Sequence, residues 1–448
     1  APVELGWNGG TGTNVKASFE VQSDAGDASN DAVRVDATEL RCAVVGEGGN
    51  LGLTQAARIQ YALRGGRVNT DALDNSGGVA LSDREVNLKI LLEPPVRSGA
   101  LEPDARNELL EALTDDVAER VLRDNWSQSM AVSLDEVRQA EQLDEYRDLM
   151  TTLERGGLLD RAAEGLPSFE TLVERAEDGL RLVRPELCVL LAYAKLSVKA
   201  AVVRGALPDD PSVARYLDRY FPIEAIRSAG REALVSHPLR REFITRLFSY
   251  DLFDLMGATF VHRLVRDTGR TGEEVVRAWV IASRVTDHAR YIDELAHGAG
   301  QKLSAADAYR WILGLSRVLE RTTRWVLQNV PVEVDAERVI NENRSGLETL
   351  RKEFGDVVTG EDRELFVRLV GDLEALGAEP GFAREMITLR FLDQMLEIAR
   401  VARKTDGDTM DTARAFYRVS ERLHVPWIRE AIFASAQDDR WEQRAAQA

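Results

Sequence analysis

Two short Gly/Asn stretches carry the residue types best suited to chemistry: Val45-Gly46-Glu47-Gly48-Gly49-Asn50 and Asp74-Asn75-Ser76-Gly77-Gly78-Val79. Each follows a strand-like run. Each offers bare backbone beside a carboxamide, a group that donates and accepts hydrogen bonds at once. That combination suits a flat, amide-bearing ligand such as nicotinamide, whose chemistry is its own once the protein supplies position and polarity. Ser82 lies seven residues after Asn75, and Glu85 follows at capping-box spacing, so Ser82 is expected to open a helix. A helix N-terminus there would favour a carboxylate through its N–H groups and dipole.

These residues need elements to hold them. Arg41-Cys-Ala-Val-Val45 reads as a short buried strand ending at glycines. Leu53 to Leu63 reads as one amphipathic helix, with Thr54 as a cap and Gly65-Gly66 as the stop. Arg67-Val68-Asn69-Thr70 reads as a second strand, which completes a strand, turn, helix, strand unit. Thirteen of the 33 glycines lie at or before Gly78, so the turn-rich part of the chain ends there. Pro94-Pro95 is expected to end the α/β region, because two prolines disrupt an element's interior. Beyond about residue 101 apolar residues recur three and four apart. Leu109, Leu113, Val117 and Val121 make one stripe, Phe416 and Val419 belong to another, and helices are expected to start at Arg184-Pro185 and His237-Pro238. Breaks are expected at Pro208 to Pro211, Gly269, residues 298–300, Pro331 and Pro380-Gly381. The expected fold class is α/β followed by mainly α, with residues 1–95 and 96–448 as separate domains.

Composition removes several classes of function. A net charge of -18 leaves no excess of Lys and Arg to neutralise a phosphate backbone, so no nucleic-acid partner is expected. The same charge opposes anionic membranes, and the most apolar run, 187–203, is interrupted by Lys195 and Lys199. Cys42 and Cys188 stand too far apart in sequence for a zinc motif, and a reducing, cytoplasmic setting is expected. The five histidines are scattered, so no metal site is expected. Trp126, Trp311, Trp325, Trp427 and Trp441 sit at helical positions and are expected to pack. Arg240 and Arg241 could hold an anion or form an ordinary surface pair. The chain opens on Ala1-Pro2 rather than Met and reads as the interior of a longer polypeptide.

Gly46-x-Gly48-x-x-x-Gly52 admits three readings: a pyrophosphate fingerprint with Asp71 as the ribose acid, a turn without a ligand, or a late strand whose loop touches the nicotinamide end. The surrounding residues add a resemblance. Trp7-Asn-Gly-Gly-Thr-Gly-Thr13, Val44 to Gln55, Asn69 to Val79, Ser82-Asp83 and Glu85 to Leu91 resemble the large NAD-specific glutamate dehydrogenases of bacteria. Shorter matches follow at Arg184-Pro-Glu-Leu, Leu190 to Lys195, His237 to Glu242 and Thr323-Arg-Trp325. The resemblance implies that the chain is a C-terminal fragment. It would hold the second half of a Rossmann-like cofactor domain, followed by a helical domain.

The same resemblance implies NAD as cofactor and L-glutamate and 2-oxoglutarate as ligands. It assigns cofactor contacts to Gly48, Gly49, Asn50, Asn75, Gly77 and Gly78, and substrate contacts to Asn75 and Ser82. It places the catalytic lysine and aspartate upstream, so no catalytic residue is expected within this chain. Thr11, Asn14, Ala80-Leu81 and Arg84 depart from the family's pattern. A homo-oligomer is expected. The alternative reading makes the chain an assembly or regulatory module with a residual nucleotide-binding piece.

Overall fold

The computed structural model describes residues 2–297, 303–428 and 431; the expected break at 298–300 and Trp441 lie outside them. The described chain is mainly helical with a small parallel sheet. It divides into two compact units, Ala1–Arg277 and Ala278–Ala448.

Five strands lie among the described residues of the first unit: β1 (Val3–Asn8), β2 (Val15–Lys16), β3 (Val35–Asp36), β4 (Cys42–Glu47) and β5 (Arg67–Val68). The larger sheet has order β1-β4-β5 and is parallel throughout, with Trp7 beside Gly46 and Val45 beside Val68. β2 and β3 form a separate parallel pair. Helix α1 (Gln55–Leu63) connects β4 to β5, and the Thr54 hydroxyl caps it by accepting from the Ala57 N–H (3.0 Å). Its Ala57 and Tyr61 pack with Val45, Leu53 and Val68 into a small core. Gly65 stops the helix at φ +91°, a left-handed conformation that glycine adopts without strain.

After β5 the chain forms α2 (Asp71–Asp74) and then α3 (Ser76–Arg97). Two expectations fail here. Ser82 does not open a helix: α3 starts six residues earlier, and the Ser82 hydroxyl donates back to the Val79 carbonyl (3.0 Å). The short polar stretch Asn75-Ser76 starts the helix instead, and Gly77-Gly78 is carried within its first turn. Nor do Pro94 and Pro95 break an element. Both lie inside α3, which runs on through them to Arg97 although neither can donate a backbone N–H there.

The rest of the first unit is helical: α4 (Pro103–Ala112), α5 (Thr114–Arg155), α6 (Phe169–Glu177), α7 (Arg184–Val202), α8 (Ala214–Tyr220), α9 (Ile223–Ala229), α10 (Arg231–Val235), α11 (Arg240–Met256) and α12 (Phe260–Thr268). Leu113, Val117 and Val121 are buried as their spacing requires. α7 begins at Arg184 with Pro185 in its first turn. α11 begins at Arg240 rather than His237, because His237 Nδ1 accepts from the Leu239 N–H (3.1 Å) and holds the preceding residues in a turn.

In the second unit, helices 305–329, 336–352, 360–375 and 392–405 bury Ile312, Leu319, Ile340, Leu347, Leu373 and Met395. Helix Thr409–Arg422 faces inward through Ala413 and Tyr417, while Val419 of the expected stripe is exposed. No described helix is long and apolar enough to cross a membrane.

Candidate functional site

Parallel strands release their loops at one edge, and ligands collect outside the carboxyl ends of such strands. Here β1 leads into Asn8-Gly9-Gly10, β4 into Gly48-Gly49-Asn50, and β5 into α2 and Asn75. Close approach explains the glycines of the β4 loop. The Trp7 ring lies against Gly46 and Gly48, where added Cβ atoms would fall 2.7 and 2.4 Å from it. A Cβ on Gly49 would fall 1.8 Å from the Gly10 carbonyl oxygen, and one on Gly52 would fall 2.1 Å from the Asn8 amide. The Gly49 N–H donates to the Asn8 carbonyl (2.9 Å). Gly48 and Gly49 therefore draw the β1 and β4 loops into direct contact.

A charged clamp fixes the loop from beneath. Glu47 is fully buried and accepts from Arg58 Nε (2.6 Å), Arg58 Nη2 (2.9 Å) and the Leu53 N–H (3.0 Å). Burial pushes the Glu47 carboxyl above its ordinary value, and the Arg58 guanidinium opposes that shift. Arg58 Nη2 also meets Asp71 (3.0 Å), whose other oxygen accepts from the Leu51 N–H (2.7 Å). Asp74 accepts from the Glu47 N–H (3.0 Å) and the Asn69 amide (2.8 Å). Asp71 is committed on both oxygens to this clamp, which speaks against the ribose-acid role.

Above the clamp the two carboxamides meet: Asn75 Nδ2 donates to Asn50 Oδ1. That bond leaves the Asn50 NH₂ and the Asn75 oxygen, one donor group and one acceptor, at a surface where Asn50 is exposed. Such a pair fits a carboxamide ligand, which needs both. Gly77 and Gly78 occupy the first turn of α3 beside it. Ser82 lies on the same face of α3, seven residues or about 10 Å along the axis, and is exposed. Asn50 and Asn75 are therefore in contact, with Ser82 two turns away.

The helical part supplies two braces, of which the sequence singled out only Arg184. Asn125 of α5 donates to the Leu73 carbonyl (2.8 Å) and the Ser76 hydroxyl (3.0 Å), spanning the joint that carries Asn75. Arg184 of α7 donates to Asn69 (3.0 Å) and to Ser133 of α5 (2.9 Å). Arg184 was legible as a motif residue; Asn125 carried no local signal, because its role depends on a contact 49 residues away. The departure at Arg84 also has a structural account. It is buried, donates to the Tyr220 carbonyl (2.9 Å) and pairs with Asp124 (2.8 Å).

The remaining candidates have ordinary roles. Arg240 and Arg241 both pair with Asp209. Cys188 is a buried free thiol that burial pushes up to about 11, and Cys42 is also free. No cluster among the described residues could hold a metal ion.

Residues 1–135 match the family model described as bacterial NAD-glutamate dehydrogenase, catalytic domain, and residues 179–448 match glutamate dehydrogenase, C-terminal. The NAD-specific glutamate dehydrogenase of Halomonas elongata is 38% identical over 99% of this chain and 27% of its own length. That of Pseudomonas aeruginosa is 38% identical over 100% of the chain and 28% of its length. That of Mycobacterium tuberculosis is 35% identical over 99% and 27%. The chain thus spans little more than a quarter of these relatives. With most of its length covered by that C-terminal family model, the chain belongs to the bacterial NAD-glutamate dehydrogenase family.

Proposed function

We propose that this chain is part of an NAD-dependent glutamate dehydrogenase, and that its strand-end loops form the nicotinamide side of the active site. The reaction converts L-glutamate, NAD⁺ and water into 2-oxoglutarate, ammonium, NADH and a proton. The observation that carries the reading is the Asn50–Asn75 contact at the carboxyl ends of parallel strands. Residues 1–95 would then be the second half of a Rossmann-like cofactor domain, and 96–448 a helical domain. The polypeptide would work in the cytoplasm as a homo-oligomer.

Bound NAD⁺ would supply the hydride acceptor. This chain's residues position and polarise. The Asn50 NH₂ donates to the nicotinamide amide oxygen, and the Asn75 oxygen accepts from its NH₂. Gly48 and Gly49 let the loop lie close to the ring, and Gly77 and Gly78 leave the first turn of α3 open beside it. Asn75 also borders the substrate, and Ser82 on the same helix face receives its distal carboxylate. The group that moves the substrate's proton lies outside this chain.

The test is steady-state kinetics on the intact polypeptide. Asn50→Ala and Asn75→Ala should each lower kcat/KM for NAD about 10- to 100-fold, the effect of losing one or two hydrogen bonds at roughly 1.5–3 kcal/mol. Unchanged kcat/KM in both variants would reject the site. The 448-residue chain alone should show no turnover, and NADH formation by it would reject an upstream proton-transfer group.

A further inference from the structure

A tryptophan at the strand ends stands in water, and two glycines make its seat. Trp7, next to the last residue of β1, is 67% exposed, more than any other tryptophan among the described residues. Its six-membered ring fills the space of two side chains that β4 and its loop lack. A Cβ on Gly46 would fall 2.7 Å from Cε3 and 2.8 Å from Cζ3 of that ring, and one on Gly48 would overlap Cζ2 and Cε2 at the opposite edge. The indole Nε1 lies toward Gly9, 3.1 Å from where a Cβ would stand. Neither Gly46 nor Gly48 has a positive φ, so the backbone itself does not call for glycine at either position. Glycine in a strand weakens it and marks a close approach, and here the approaching group is the indole.

A ring seated for packing alone would be buried, as Trp279 is. Trp7 is held in place and left open. Its position narrows what could cover it. The Asn8 carbonyl accepts from the Gly49 N–H (2.9 Å), and Gly48, under one edge of the ring, lies two residues before Asn50. The ring therefore borders the loop that carries the carboxamide pair. Val3, Leu5 and Val44 are exposed on the same face of the sheet, but they lie farther from the carboxyl ends of β1 and β4.

The chemistry of the ligand supplies the last step. An oxidised nicotinamide is a flat ring with a positive charge, and a reduced one is neutral. The face of an indole is negative by its quadrupole, so it attracts the charged ring more strongly than the neutral one. We propose that Trp7 is a cofactor-binding residue whose indole stacks on the nicotinamide ring and favours NAD⁺ over NADH. The proposal rests on the reading of the strand-end loops as the nicotinamide side of the site.

Equilibrium binding to the intact polypeptide tests it, with NADH followed by its own fluorescence and NAD⁺ by displacement of NADH. Trp7→Leu keeps an apolar body and loses the π face. It should weaken NAD⁺ about 3- to 30-fold more than NADH, the range for a cation on an indole face. Trp7→Phe, with a weaker face, should shift the ratio the same way by less. Leu5→Ala, on the same side of the sheet, should leave the ratio unchanged. The proposal falls if Trp7→Leu weakens both forms by the same factor, because a displaced loop would act on both alike, or if it leaves both unchanged. It falls also if Leu5→Ala shifts the ratio as far, since the effect would not be local to the ring. Should Trp7→Leu fail to fold, an unchanged ratio in Trp7→Phe overturns the proposal. If Asn50→Ala and Asn75→Ala lower kcat/KM for NAD while the Trp7 variants bind like the parent, this proposal alone fails. If the two asparagine variants are unaffected, the reading of the site fails and this proposal with it.

Discussion

At the strand ends, Glu47, Arg58, Asp71 and Asp74 hold two loops so that Asn50 and Asn75 meet at the surface. Around Tyr220 the same unit packs in the opposite manner. Tyr220 stacks on Phe243 (4.0 Å between centroids, 13° between planes) and meets Phe221 edge-on (4.8 Å), while His237 lies 4.8 Å from Phe243. The Tyr220 hydroxyl donates to Asp83 (3.1 Å) and accepts from Asn87 (3.1 Å), and burial lowers the His237 imidazole from its ordinary value. The aromatic cluster derives its stability from area removed from water, and its polar atoms serve mainly to orient α3. The strand-end loops have little such area, so charge pairs and backbone contact fix them. A site that must stay open to a ligand can be rigid only by the second means.

Breaking each region separately sharpens this contrast. Phe243→Ala should have the largest effect on stability, about 3–5 kcal/mol, because it removes a buried ring that touches three others. Urea unfolding of the chain measures this, and hydrogen exchange of the 47–54 amides below the transition should stay unchanged. Glu47→Gln comes next at about 3 kcal/mol, since Arg58 would keep Asp71 but lose its buried bidentate partner. Here the 47–54 amides should exchange faster. If Phe243→Ala loosened the 47–54 loop as much as Glu47→Gln, the two regions would be one mechanical body and the contrast would fail.

How much of this was legible follows from the range of the interactions. β4, α1 and β5 were readable because their signals are local: a hydrophobic run, a capping threonine and paired glycines within thirty residues. The Gly/Asn stretches were readable for the same reason, and the fold brings Asn50 and Asn75 into contact. The start of α3 was not readable. Ser82 and Glu85 imitate a helix start, and the actual start at Ser76 is supported by Asn125, a partner from another helix. Pro94-Pro95 misled because α3 runs through both of them to Arg97 despite the two backbone donors they remove. The clamp under the loop was invisible because Glu47, Arg58 and Asp71 converge only after the chain folds.

Two smaller changes probe how the carboxamides are aimed. Gly49→Ala should cost about 1–3 kcal/mol, because its methyl would sit on the Gly10 carbonyl and force the two loops apart. Nuclear magnetic resonance of the Asn50 and Asn75 side-chain amides should report the loss of their mutual bond. Asn125→Ala should cost about 1 kcal/mol, the value of a typical hydrogen bond, and should speed exchange over residues 73–78. If the side-chain amide signals of Asn75 are identical in Asn125→Ala and the parent chain, Asn125 is a packing residue and does not position the site.

The smallest effects concern pH, and two carboxylates, Asp254 of α11 and Asp27 between β2 and β3, should respond with opposite sign. Burial pushes the Asp254 carboxyl, which Lys195 meets at 2.6 Å, up to about 6. Between the ordinary carboxylate range and pH 6 the folded chain then binds more protons than the unfolded chain. Its stability contribution is full below that range and is lost as pH rises toward 6. Asp27 is held down at about 2, first by the Ser29 hydroxyl and then by the Thr13 N–H. Its contribution is full above the ordinary range and is lost as pH falls toward 2. Urea midpoints measured from pH 3 to 7 should therefore decline less steeply between pH 4 and 6 in Asp254→Asn than in the parent chain. In Asp27→Asn the midpoint should fall less below pH 4, and by a smaller amount because solvent screens this group near the surface. Slope changes of the same sign in both variants would show that burial at Asp254 and hydrogen bonding at Asp27 do not move the two carboxyls in opposite directions.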